Sequence, residues 1–139
     1  MSDTVLGFDF GTRKIGVASG QSITGTGTPL TTVPCRDQKP DFERIGALIG
    51  EWQPDALIVG LPLNMDGSES ESSSRARRFA RQLEGRFSLP AWLVDERLST
   101  REARQEMGAS YRGGADDRVD SMAAVLIIES WFREGGQRP

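Results

Sequence analysis

The chain opens on alternation. From Thr4 to Phe10, Leu6, Phe8 and Phe10 point one way while Val5, Gly7 and Asp9 point the other, which predicts a strand. Gly11-Thr12 follows as a turn. Residues 14–20 (KIGVASG) and 24–33 (TGTGTPLTTV) predict two more strands, the second rich in the β-branched threonine that suits a pleated surface. Together the three predict an antiparallel meander. The period then changes: Phe42, Ile45, Leu48, Ile49 and Trp52 fall at helical spacing, and Pro54 ends that helix. Residues 56–60 (ALIVG) form a continuous apolar run, suited to a buried parallel strand reached through the helical crossover.

A polar stretch, residues 61–74, comes next, with Asn64-Met65-Asp66-Gly67 and a run of serines; it is long enough to be a candidate lid. Residues 75–87 predict a helix with Ala76, Phe79, Ala80, Leu83 and Phe87 on one stripe and Arg75, Arg78 and Arg81 on another. Residues 91–94 predict a short strand. Ser99 and Glu102 have capping-box spacing and open a further helix. A glycine-containing connection then leads to a last helix, from about Asp116 to Phe132, which ends before Gly135-Gly136. The order predicts an α/β fold whose mixed central sheet combines the antiparallel three-strand meander with two parallel strands, with helices on both faces. At 139 residues, one domain spanning 1–139 is expected.

Composition narrows the chemistry. With one cysteine, Cys35, and no histidine, the described chain can form neither an internal disulfide, a Cys/His zinc site, nor a Ser-His or Cys-His catalytic pair. Carboxylates and the hard cations they bind remain, Mg²⁺ foremost. No apolar run approaches the ~18–20 residues that span a bilayer, and MSDTVLGFDF lacks a basic n-region, so a cytoplasmic protein with no membrane partner is expected. Net charge is −3, yet from Arg75 to Arg118 ten arginines face seven acids. A local phosphate-facing surface on an acidic protein is therefore expected.

Three acidic positions are candidates. Asp9 lies within an apolar strand, where it either structures the turn before Gly11 or meets a cation. Asp95 and Glu96 close another strand, at the end where open α/β sheets place their sites; alternation lets only one face Asp9. Asp120 shares a helical face with Ala123, Ala124, Ile127 and Trp131. The helix dipole would stabilise it by roughly 0.3–1 kcal/mol, less than the typical cost of burying an unpaired charge, so a cation should meet it. Three such carboxylates converging would suit a two-metal phosphodiesterase.

Four segments, FDFGTRKIGVA (8–18), IVGLPLNMDG (58–67), VDERLSTREA (94–103) and VDSMAAVLI (119–127), closely resemble the YqgF family, nucleases of precursor ribosomal RNA once grouped with Holliday-junction resolvases. The resemblance runs from about Thr4 to Trp131. It implies an RNase H-like fold, and Asp9, Glu96 and Asp120 as catalytic ligands of Mg²⁺ or Mn²⁺, which selects Glu96 over Asp95. Members often carry a base where this chain has Asp116 and Asp117. The substrate implied is the 5′ end of precursor small-subunit (16S) ribosomal RNA. Arg13 and Lys14 are candidates to meet the phosphate, and Arg75, Arg78, Arg81, Arg97, Arg101 and Arg104 to track the backbone.

Three rival readings remain. A Holliday-junction resolvase would act on structured, four-way DNA as a symmetric dimer, whereas the nuclease is expected as a monomer or weak homodimer. A non-catalytic nucleic-acid-binding factor would serve transcription or ribosome assembly. Asp9-Phe10-Gly11-Thr12 also matches the phosphate loop of actin-like ATPases, but those need two lobes, which 139 residues cannot supply.

Overall fold

The computed structural model describes residues 3–11, 13–37, 39–96 and 117–139. A six-stranded mixed sheet runs through them in the order β4-β3-β2-β1-β5-β6. Strands β1 (Thr4–Phe10), β2 (Lys14–Gln21) and β3 (Thr26–Arg36) form the antiparallel meander, and β5 (Ala56–Leu61) and β6 (Ala91–Asp95) extend it in parallel from β1. A two-residue edge strand, β4 (Lys39–Pro40), pairs with the end of β3. It escapes the periodicity because two residues are too few to show any. Strand β3 also runs past residue 33, through Pro34 and Cys35, because β4 offers that segment a partner. The buried Cys35 thiol is pushed above its ordinary pKa by burial.

Helices cover both faces. On one, α1 (Phe42–Trp52) and α2 (Glu71–Phe87) bury Ile45, Ala76, Phe79, Ala80 and Leu83 against Leu6, Phe8, Leu57, Val59 and Leu93. On the other, α3 (Asp117–Glu134) buries Ala124, Val125, Ile127 and Ile128 against Val5, Ala18, Ala56, Ile58 and Val94. The α1 N-terminus is capped by Asp41, whose Oδ1 accepts from the Arg44 N–H at 3.1 Å. Among the described residues no helix is long and apolar enough to cross a membrane.

The serine-rich stretch is shorter as a loop than its composition suggests. Helix α2 begins at Glu71, so Ser72, Ser73 and Ser74 lie in its first turn. Ser73 Oγ accepts from the Ser70 N–H at 2.9 Å and donates to the Pro62 carbonyl. Glu69 is gripped by both nitrogens of the Arg77 fork, at 2.9 and 2.7 Å, and that hydrogen bonding holds its carboxyl below the ordinary range. The predicted helix at Ser99 and the connection at 111–115 lie outside the described residues.

Candidate active site

Side-chain alternation places one residue from each of several strands on the α3 face. Val5 of β1, Ala18 of β2, Ile58 of β5 and Val94 of β6 all pack against α3. Two or four residues further along β1, β5 and β6, and four residues back along the antiparallel β2, come Asp9, Gly60, Glu96 and Lys14, on the same face and at the same edge of the sheet. Glu96 is the first residue past β6, and its N–H donates to the Leu61 carbonyl at 3.1 Å, which continues the β5–β6 ladder by one step. Asp95 is exposed. The geometry thus sets Glu96 beside Asp9, close enough for the Asp9 carboxylate to raise the Glu96 carboxyl.

Two glycines make the approach possible. Gly16 pairs with Asp9 across β1–β2, and a Cβ built on it would collide with the Asp120 carbonyl. Only glycine lets the start of α3 settle on the sheet there. Gly60 does the same for Glu96: an added Cβ would meet the Glu96 Oε2 and, at 2.5 Å, the Ile127 Cδ1.

Glu96 is half-buried, but its Oε2 is sealed from solvent and accepts no hydrogen bond among the described residues. Burial holds its carboxyl well above the ordinary range, and the neighbouring Asp9 charge, the hydrogen bond with Asp9 and the charge of Asp95 push it the same way. Asp120 meets the Lys14 ammonium at 3.4 Å, with the two side chains 24% and 29% exposed. The cation expected beside Asp120 is thus supplied in this structure by Lys14. As the side chains stand, no three Asp, Glu or Cys among the described residues close on a single point. The arrangement is a carboxyl pair, Asp9 and Glu96, with Asp120 beside it across Gly16.

The expected basic residues divide. Lys14 lies in the site, and Arg13 is exposed on the β1–β2 turn next to it. Arg75, Arg78 and Arg81 lie on α2, across the sheet from the carboxylates; Arg75 is paired with Glu71 at 2.7 Å, and Arg78 and Arg81 are exposed. Arg97, Arg101 and Arg104, with Asp116, lie outside the described residues.

Comparison with known proteins identifies the family. The RuvX family, described as Holliday junction resolvase, matches residues 3–134. The chain belongs to this family. Among RuvX relatives, a protein of Alcanivorax borkumensis is 59% identical over 128 residues, covering 92% of this chain and 94% of its own length. One of Salmonella paratyphi B is 53% identical over 137 residues, covering 97% and 99%. Both carry the name "Putative pre-16S rRNA nuclease". Among solved structures, Thermus thermophilus RuvC superposes with a TM-score of 0.56 in complex with a Holliday junction substrate, at 15% identity and 99% coverage of both chains. A second structure of that protein gives 0.54. At that identity the likeness concerns the fold, which is RNase H-like, as the resemblance to YqgF implied.

Proposed function

We propose that this RuvX chain is a metal-dependent ribonuclease acting at the 5′ end of precursor 16S ribosomal RNA, with Asp9, Glu96 and Asp120 as its metal ligands. The observation that carries the reading is the sealed Oε2 of Glu96 beside a second acid, Asp9, with burial and the Asp9 charge together holding the Glu96 carboxyl well above its ordinary range. Two acids forced together in this way raise the cost of their own ionisation, and a divalent cation removes that cost. The donor set suits it: oxygen ligands alone, as Mg²⁺ and Mn²⁺ prefer, in a chain without histidine.

Asp9, Glu96 and Asp120 would hold divalent ions there, which would supply Lewis-acid stabilisation of the charge on the attacking and leaving oxygens of a phosphodiester. The chain's own residues position them. Strand β1 fixes Asp9, the Leu61 carbonyl fixes the backbone of Glu96, and Gly16 fixes how closely Asp120 approaches. Lys14, held by Asp120, and Arg13 on the adjoining turn supply positive charge where the phosphate enters. The RNA substrate follows from the names of the 53–59% identical relatives. The family's description and the shared fold with RuvC favour a second reading, cleavage of a four-way DNA junction.

Purified protein offered precursor 16S RNA, single-stranded DNA and a four-way DNA junction in parallel, with Mg²⁺ or Mn²⁺, separates the two. Cleavage of the RNA that stops in EDTA is the expected outcome. Junction-selective cleavage would replace this reading with the resolvase, and no cleavage of any substrate would favour a binding factor in transcription or ribosome assembly.

A further inference from the structure

Behind the carboxylates, on the face of the sheet covered by α1 and α2, a cavity of about 570 Å³ opens at the same edge. Its apolar lining is Phe10, Pro40 and Phe42, with the buried Phe79. Lys39, Arg75, Arg78 and Arg86 also line it, against a single carboxylate, Asp37. Arg75 is offset by Glu71, which leaves three cations to one acid in the lining, still a local imbalance in a chain whose net charge is −3.

We propose that this cavity is a second nucleic-acid subsite, which takes an unpaired nucleotide of the single-stranded RNA whose scissile phosphate lies at the carboxylates. The proposal rests on the ribonuclease reading for the identity of the strand, and on the cavity for everything else. Recognition of an unpaired base needs a flat apolar surface with cations at its rim, because every base has a stacking face and every nucleotide a phosphate.

The cavity has both. Phe79 is the hub, with ring centroids 4.8 Å from Phe10 and 6.2 Å from Phe42, the latter nearly parallel at 27°. The Arg86 guanidinium lies over the Phe42 ring at 4.0 Å. A guanidinium over an aromatic ring can receive a base on its own face and donate to phosphate from its edge. Lys39 and Arg78, both exposed, flank that stack.

Connectivity links the subsite to the carboxylates. Phe10 follows Asp9 directly on β1, so the first proposed metal ligand and the cavity wall are consecutive residues on opposite faces. The exposed Arg13 sits on the turn at that edge, where a strand passing from one face to the other must run. A continuous duplex keeps its base faces stacked on each other and cannot present one to Phe42 or Arg86.

The test is binding, measured in EDTA so that it does not depend on cleavage. A fluorescent single-stranded oligoribonucleotide of about ten nucleotides, carrying 2-aminopurine, is titrated with the full chain and with Lys39→Ala, Arg78→Ala, Arg86→Ala and Phe42→Leu. Each cation removed should weaken binding several-fold and flatten the slope of log K against log salt by about 0.7. The 2-aminopurine signal should be quenched by the parent chain and recover with Phe42→Leu; should that variant unfold, the exposed Arg86→Ala carries the same readout. Unchanged affinity and slope in all the cation variants would overturn the proposal. So would equal affinity for duplex RNA, or competition by free AMP at the oligomer's own concentration, which would mark a mononucleotide site. Binding that behaves as expected in a protein that cuts no RNA would leave the subsite standing and overturn the ribonuclease reading.

Discussion

At Gly16 and Gly60 the same substitution should have different consequences, because different atoms stand in the way. A methyl group at Gly16 meets the backbone carbonyl of Asp120, which can yield only if the start of α3 lifts from the sheet. Gly16→Ala is therefore expected to cost about 1–3 kcal/mol of stability, as overpacking does, and to abolish metal binding with it. At Gly60 the obstacles are the ends of two side chains, Glu96 and Ile127. Gly60→Ala should unfold at nearly the parent's denaturant midpoint while losing metal affinity, since Glu96 can swing aside but then no longer faces Asp9. Urea unfolding and metal titration on both variants check the contrast.

The pH dependence follows from Glu96. Its folded-state carboxyl titrates above the ordinary value of 4.5, so the folded protein keeps a proton that the unfolded chain has already released. The resulting stabilisation is fully present below that ordinary value and is lost as pH rises through the raised one. In EDTA, the parent's Tm should fall relative to that of Glu96→Gln as pH is raised from about 4.5 towards neutrality. Added Mn²⁺ should reduce this difference, because it compensates the carboxylate charge in the parent and finds a weaker ligand in the variant. A Tm difference independent of pH would show that Glu96 ionises without penalty.

At the scale of elements, α3 and the meander are fitted to each other. A Cβ on Gly20 would stand 2.5 Å from Cγ2 of Ile128, a fully buried residue. Gly20→Ala alone should destabilise, and Ile128→Ala alone should cost about 2–5 kcal/mol as a core truncation. Combined, the new methyl enters the space that Ile128 vacated, so the double variant should be more stable than Ile128→Ala. A double variant less stable than either single one, by chemical denaturation, would contradict this packing.

Much of this was legible beforehand. The alternation in β1 placed Asp9 opposite Phe8 and Phe10, and the apolar run of β5 announced a strand buried on both sides. What stayed hidden was whatever depends on contacts far apart in sequence. Nothing local to Gly16 or Gly60 announces a carboxylate or a helix above it, and β4 exists only because β3 offers it an edge. Helical spacing joins Arg86 to Arg75 and Arg78 on α2, but Lys39 and Phe42 belong to β4 and α1, so no spacing rule could join those two to the arginines. Neighbouring residues did not by themselves settle Asp95 against Glu96; the β5–β6 register places one in solvent and the other beside Asp9.

For the whole molecule, the sheet serves as a partition. Its α3 face gathers acids at one edge, where hard cations would be attracted, and its α1–α2 face gathers arginines and phenylalanines at the same edge, where a nucleotide strand would be attracted. An acidic protein can thereby engage a polyanion without a basic surface overall. Electrostatic capture of this kind is salt-sensitive: RNA affinity should fall steeply between low and physiological salt, while metal affinity, set by short oxygen contacts, should change much less.

The most direct test is a calorimetric titration of Mn²⁺ into the parent chain and into Asp9→Asn, Glu96→Gln and Asp120→Asn, each first shown to be folded. Binding to the parent is predicted, with a loss in every variant greater than the roughly 10–100-fold that outer partners of a metal site carry. A parent chain that binds no Mn²⁺, or variants that bind it as the parent does, would contradict the claim that these three carboxylates form the catalytic centre.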